Sequence, residues 1–378
     1  MRQQENFPPP EFKNLTADDI SFQKEKGIPL LPNSYLSLSP QERNDGLEVG
    51  ILPTALRQTV LQLGKEITDG KHGNIDSLLI AQRGKLVTEA YFRRGRVNYP
   101  HYQMSITKSY TALAVGRAIQ LGHLDSTDLQ KPVLDILDRV DTSKTAPGVE
   151  RITLHDALNM HSGIRVSKED LARLRKQSPE LKGLGQVRAY LQLTQPRTAK
   201  SRSFKYQGCD PALVMQVLEK VVPGKAETFL RKQLLAPLGI QSYGWGKDVS
   251  ELPKSAAGSS LCSRDMIKIG VMVQQEGQWK GTRMIPKEYL ETSTSSLYTN
   301  RQGTSYGYFW WSHPVRIDGR TLACKSARGA GGQLILLFNE IELVIVCTAH
   351  QQGMGKMLST LPKRLLPSFV HQSKSPAN

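Results

Sequence analysis

The chain has 378 residues, 39% of them hydrophobic, and a formal net charge of +16 from 50 Lys/Arg against 34 Asp/Glu. That length and apolar content exclude a disordered chain and suit a large core, organised as one mixed domain or two. No apolar run approaches the about 18 residues that cross a membrane. The four cysteines (Cys209, Cys262, Cys324, Cys347) show no pairing that implies zinc or a disulfide framework. His155 and His161 are too scattered for a metal motif, so no metal or cofactor is expected. The start, Met1 to Pro10, lacks an apolar signal core. The expectation is a cytoplasmic protein if that start is native, and an exported one if a leader was removed.

Residues 1–46 read as irregular and Pro-rich. A helix follows over about 52–69, with Leu56, Val60, Leu63 and Ile67 at helical spacing. Ile75–Gln82 reads as a strand, Arg83-Gly84-Lys85 as a turn, and Leu86–Phe92 as the return strand. From 105 to about 250 the pattern is helical, with pieces near 105–121, 126–138, 153–160, 186–193, 209–221 and 225–235. Another helix spans about 263–275, strands return at 306–312, 315–318, 332–338 and 341–348, and a helix closes the chain over about 354–366. This order implies an α+β fold: an antiparallel sheet from 47–104 and 255–378, flanked by N- and C-terminal helices, with an all-α lobe inserted over 105–254.

The stretch Met104-Ser105-Ile106-Thr107-Lys108 opens the most apolar of these helices. Positions i and i+3 share a helix face, so the Ser105 hydroxyl and the Lys108 amine can share one site. A serine needs a neighbouring base to act as a nucleophile at neutral pH, and burial lowers a lysine pKa toward that role. The bland alternative is a buried helix with Ser105 as its N-cap. Ser21-Phe22-Gln23-Lys24 has the same spacing but starts no apolar helix, and reads as a decoy. Gly303-Thr304-Ser305-Tyr306-Gly307 matches a nucleophile-elbow pattern, yet strand sequence follows where that motif needs a helix.

Residues 162–205 hold eleven Lys/Arg and three acids. Only Tyr190 and Phe204 supply aromatic rings there, which is too few for a single-strand nucleic-acid reader, and no nucleic-acid partner is expected. The remaining readings are a solvated face, or a source of positive charge for a carboxylate-bearing substrate through Arg165, Lys168 or Arg173.

Three further motifs follow Ser105 in order: Ile152–Ile164 with its His161-Ser162-Gly163, Phe204-Lys205-Tyr206-Gln207-Gly208, and Arg328-Gly329-Ala330-Gly331-Gly332-Gln333 before an apolar strand. Together with Ser105-x-x-Lys108 they resemble the serine β-lactamase-like hydrolases over roughly residues 45–370. That superfamily spans class C β-lactamases, D-Ala-D-Ala carboxypeptidases, family VIII carboxylesterases and 6-aminohexanoate-dimer hydrolases, and the chain looks nearest to the dimer-hydrolase and esterase branch. The resemblance implies a β-lactamase-like fold. It makes Ser105 the nucleophile, Lys108 its base or the group that holds Tyr206 basic, and Tyr206 the proton relay. It implies an oxyanion hole from the backbone N–H groups of Ser105 and Gln333, with Ala330, Gly331, Gly332 and Trp310 beside the substrate. Two positions depart from the family pattern: Gly208 stands where Asn is common, and Ala330 where Lys or His is common. The family's Lys or His helps to bind the carboxylate of β-lactams and peptide C-termini, so its absence at Ala330 favours a small-molecule ester or amide substrate over a β-lactam or D-Ala peptide. The rival readings are a penicillin-binding enzyme and a non-catalytic binding protein on the same fold.

Overall fold

The computed structural model describes residues 8–372, apart from 177 and 355. Its centre is a nine-stranded antiparallel sheet. The strands are β1 (Tyr35–Ser37), β2 (Ile75–Gln82), β3 (Lys85–Tyr91), β4 (Tyr298–Thr299), β5 (Ser305–Tyr306), β6 (Trp311–Ile317), β7 (Arg320–Gly329), β8 (Gln333–Phe338) and β9 (Leu343–Ala349). Their spatial order is β1-β3-β2-β9-β8-β7-β6-β5-β4, so the two ends of the chain meet where β2 pairs with β9. Strands β2, β8 and β9 are buried on both faces, which explains their almost unbroken apolar runs.

Alternate side chains of these strands enter two different cores. Leu78, Ile80, Leu336 and Ile345 face helices α1 (Thr54–Thr68) and α5 (Met357–Gln372). Leu79, Ile335, Leu337 and Val346 face α4 (Ser263–Gln274) and the helical residues between β3 and β4. Those residues include α2 (Ile106–Gln120) and α3 (Cys209–Val221). The four cysteines are free and buried: Cys209 opens α3, Cys262 precedes α4, and Cys324 and Cys347 lie in the sheet.

Helix α2 is buried around nearly its whole circumference, from Ile106 to Ala118. Gly116 lets it pack closely, since a Cβ there would lie 2.6 Å from both Ile285 and Tyr289. Three expectations are corrected. Strand β7 is the longest of the sheet, although only a short strand at 315–318 was expected near it. Residues 126–138 form a 3-10 turn (Ser126–Gln130) and a single helical turn (Val133–Ile136). The closing helix runs on to Gln372, through Pro362 and Pro367.

Candidate active site

Met104 sits at φ +49°, a left-handed conformation that is strained for a residue with a side chain. The turn it makes delivers Ser105 to the head of α2, where the helix dipole is positive and the N–H groups of Ile106, Thr107 and Lys108 donate to the Gln103, Met104 and Ser105 carbonyls. Thr107 fixes this entry. Its hydroxyl bonds Met104 O at 2.7 Å and Ser259 Oγ at 2.8 Å, and receives the Gly258 and Ser259 N–H groups. One helical turn along, Ser109 Oγ donates to Phe309 O at 2.7 Å, tying the other side of the helix head down.

Lys108 Nζ lies 3.2 Å from Ser105 Oγ and donates to Ala256 O at 2.8 Å. The side chain is buried, and that burial pulls its pKa down to about 8. Tyr206 completes the group: Lys108 Nζ stands 4.7 Å from its ring centroid. One side of the Tyr206 ring is open to solvent, at 41% exposed. Its hydroxyl nevertheless lies inward against Ser105, where burial raises its pKa and the Ser105 hydrogen bond offsets only part of that rise. Tyr206 therefore rests as a neutral phenol, and the lysine is the easier base. The structure thus brings Ser105, Lys108 and Tyr206 together although Ser105 and Tyr206 are 101 positions apart in the chain.

The Tyr206 segment is braced from below by Asp210, a residue that sequence reasoning passed over. Its buried carboxylate accepts from Ser162 N at 3.3 Å and from Gln207 Nε2, while Lys205 N donates to Met160 O at 3.0 Å. Burial outweighs those bonds and raises the Asp210 pKa to about 6. An acid in the first turn of α3 was the only signal in the sequence. His155 and His161 serve the framework: one bonds Tyr308 OH at 2.7 Å and the other Asn159 O at 2.7 Å.

The glycine-rich turn lies elsewhere than expected. Ala330 is exposed, and Gly331 exchanges hydrogen bonds with Gly353 and Gln351. Gln333 sends its amide to Ala349 O. The part of this hairpin that meets the head of α2 is Gly329, where a Cβ would sit 2.3 Å from Gln103 O and 3.2 Å from Met104 Cβ. Strand register then decides which amide is free. Asp318 and Gly319, both at positive φ, form a two-residue turn that makes Ile317 and Arg320 a hydrogen-bonded pair. Even-numbered residues of β7 therefore aim their N–H at β6, and odd-numbered ones at β8. Gln333, paired with Gly329, turns its N–H into the hairpin. Strand β6 ends at the Trp311–Ser326 pair, so the Arg328 N–H emerges at an open edge. Trp310 is also corrected: it is 1% exposed in the core. Its neighbour Trp311 lies against Tyr206, with ring centroids 5.5 Å apart.

A cavity of about 530 Å³ adjoins this group, lined by Leu171, Leu174, Tyr190, Gly208, Lys254 and Ala256 among others. Gly208 helps to open it, because the position carries no side chain and a Cβ there would stand 3.8 Å from Ala256. Two larger clefts lie away from Ser105, beside Phe92 and beside Trp279. Among the described residues no cluster of His, Cys, Asp or Glu is arranged to hold a metal ion, and no helix is long and apolar enough to cross a membrane.

A helical lobe set on an antiparallel sheet, with a serine–lysine helix between them, defines the serine hydrolases of β-lactamase type. The chain belongs to the Beta-lactamase family, whose profile matches residues 70–366. Solved structures agree on the fold. A candidate 6-aminohexanoate-dimer hydrolase from Bacillus anthracis is 17% identical, with a TM-score of 0.64 and 83% of each chain covered. A class C β-lactamase is 16% identical, with a TM-score of 0.62 over 85% of this chain and 97% of its own. A D-stereospecific amidohydrolase from Streptomyces sp. is 18% identical, with a TM-score of 0.57 over 85% of this chain and 99% of its own. No curated protein sequence matches the chain. At such identities the likeness speaks for fold alone.

Proposed function

We propose that the chain is a serine esterase or amidase working through an acyl-enzyme on Ser105. The observation that carries this reading is the contact of a buried, easily deprotonated Lys108 with the Ser105 hydroxyl at 3.2 Å. Ser105 Oγ attacks the ester or amide carbonyl as its proton passes to Lys108 Nζ. The oxyanion that forms is held by the N–H of Ser105 and the N–H of Arg328 at the β7 edge. Tyr206 gives its phenol proton to the departing alkoxide or amine and is reprotonated from Lys108. Water then releases the acyl group by the same steps in reverse. Gly208 and the exposed Ala330 leave no Asn side chain and no cation at the positions β-lactam enzymes commonly fill, which supports plain esters or amides as substrates.

The test is intact mass after exposure to a fluorophosphonate, for the wild type and for Ser105→Ala, followed by panels of 4-nitrophenyl esters and short amides. A single adduct that disappears in the variant is expected. Folded wild-type protein that takes up no adduct would overturn the reading and favour a binding protein on this fold.

A further inference from the structure

The second Ser-x-x-Lys, at Ser21 and Lys24, is a helix cap. Ser21 Oγ accepts from Lys24 N at 3.2 Å and starts a single helical turn, Phe22–Glu25. Lys24 and Lys26 stay at the surface, while Glu25 turns inward and is buried. A carboxylate so deeply desolvated needs donors or cations around it. Glu25 accepts from Tyr102 N at 3.0 Å and bonds Nδ1 of His101, whose ring is fully buried. His350 Nε2 lies 3.7 Å from the same carboxylate, and the other nitrogen of that ring bonds the buried Asp76. Burial works against a charge on His101, but the Glu25 carboxylate prevails and holds the imidazole pKa above its ordinary value.

Both flanks of the candidate active site are tied to this cluster. His101 and Tyr102 pair with Leu261 and Ser260, and Gln103 N continues to Ser259 O at 2.8 Å, so this short strand runs directly into Met104 and Ser105. On the other flank, His350 leads into Gln351, whose N–H donates to Gly331 O at 3.0 Å in the glycine hairpin. The chain around Glu25 is fastened along the same approach. Pro10 O accepts from Val97 N at 2.9 Å, Asp19 O from the Tyr99 hydroxyl at 2.7 Å, and Pro29 O from the Arg96 guanidinium at 3.0 Å, while Leu31 N donates to Arg93 O. Residues 10–31 therefore lie as a strap over 93–102, and all of the strap precedes the stretch that matches the family profile.

We propose that Glu25 is a positioning residue for Ser105: clamped between His101 and His350, it fixes the strap on the strand that delivers the serine and holds that strand in register with the glycine hairpin. This rests on the reading of Ser105 as nucleophile. Glu25 itself touches neither Ser105 nor Lys108, so it acts through the main chain of 101–104.

The experiment compares Glu25→Ala, Glu25→Gln and the surface control Lys24→Ala with wild type, at a temperature where thermal melts show each protein folded. Fluorophosphonate labelling of Ser105 and hydrolysis of 4-nitrophenyl acetate are the readouts. Glu25→Ala should lower the labelling rate and kcat by about tenfold to a hundredfold, the scale of a displacement of about 1 Å at a reacting group. KM should stay nearly constant, which separates positioning from a change in the binding surface. Glu25→Gln keeps an acceptor for Tyr102 N without the charge and should lose less; Lys24→Ala should match wild type. Trypsin should cut after Lys24 or Lys26 faster in Glu25→Ala, reporting that the strap has come away. Folded Glu25→Ala that labels at the wild-type rate overturns the proposal, even if its strap is cut faster; where that variant does not fold, a wild-type rate in Glu25→Gln overturns it. In either case wild-type labelling leaves the hydrolase reading standing. Wild-type protein that does not label removes that reading, and this inference with it.

Discussion

Deprotonation of Lys108 should set the pH dependence of Ser105 acylation. Burial takes this lysine from its ordinary 10.5 down to about 8. With a midpoint there, about 1% of molecules hold the neutral amine at pH 6, about 9% at pH 7 and about 90% at pH 9. The second-order rate of fluorophosphonate labelling, followed by intact mass, should therefore rise about tenfold from pH 6 to 7 and level off above about pH 9. The reagent's phosphorus centre does not titrate in this range, so the profile belongs to the protein. Lys108→Met should flatten the curve and lower it by a factor of about a hundred or more. Stability supplies an independent check. The folded pKa lies below the unfolded one, so the unfolded chain binds more protons and stability rises with pH between about 8 and 10.5. At pH 7 the full cost is present, at most about 3 kcal/mol. Lys108→Met should recover part of it at pH 7, less the lost bonds to Ser105 and Ala256. A labelling rate already level at pH 6, or one still climbing at pH 10, would refute the assignment of Lys108 as the base.

Two other perturbations probe the supports of the site. Gly329→Ala places a methyl 2.3 Å from Gln103 O, so strand β7 must retreat from the head of α2; a loss of about 1–3 kcal/mol in urea melts should come with sharply slower labelling of Ser105. Asp210→Asn should act in the opposite direction on stability. The folded carboxyl, raised to about 6, holds its proton more tightly than the unfolded one, so its contribution is favourable at low pH and lost as pH rises from about 4 through 6. Asparagine can keep the Ser162 contact, so the variant should be more stable than wild type by about 1–2 kcal/mol at pH 7.5 and gain little at pH 4. Urea melts at the two values check it, and a less stable variant at pH 7.5 would contradict the balance of burial against hydrogen bonds described above.

Elements with a strong period were legible from sequence. The hairpin of β2 and β3, helix α2 and helix α3 fall within a residue or two of expectation, because each buries a dense apolar face. Strand β7 was not legible. Its sequence, Arg320-Thr-Leu-Ala-Cys-Lys-Ser-Ala-Arg-Gly329, is small and polar, and neighbouring strands, rather than its own propensity, hold it extended. That omission carried into the site. Without β7, the glycines at 331 and 332 looked like the substrate edge and Gln333 like the oxyanion donor, whereas the register turns Gln333 inward and leaves Arg328 at the edge. Trp310 and Trp311 differ only in which way a short irregular segment turns them, and no composition rule separates them. The Ala256 carbonyl beside Lys108 is main chain, so side-chain chemistry gave no sign of it.

The cysteines give the molecule built-in reporters of its own opening. Burial pushes the Cys209 and Cys324 thiols up to about 12, and Cys262 and Cys347 also lie above the ordinary range. In the native state an alkylating reagent thus meets protonated, shielded sulfur and should leave all four untouched. Each becomes reactive only when its own surroundings loosen: Cys209 with the helix that follows Tyr206, Cys324 and Cys347 with the central sheet. Brief alkylation along a heating ramp, read by peptide mass, would therefore record the order in which the lobe and the sheet come apart, with no label to engineer.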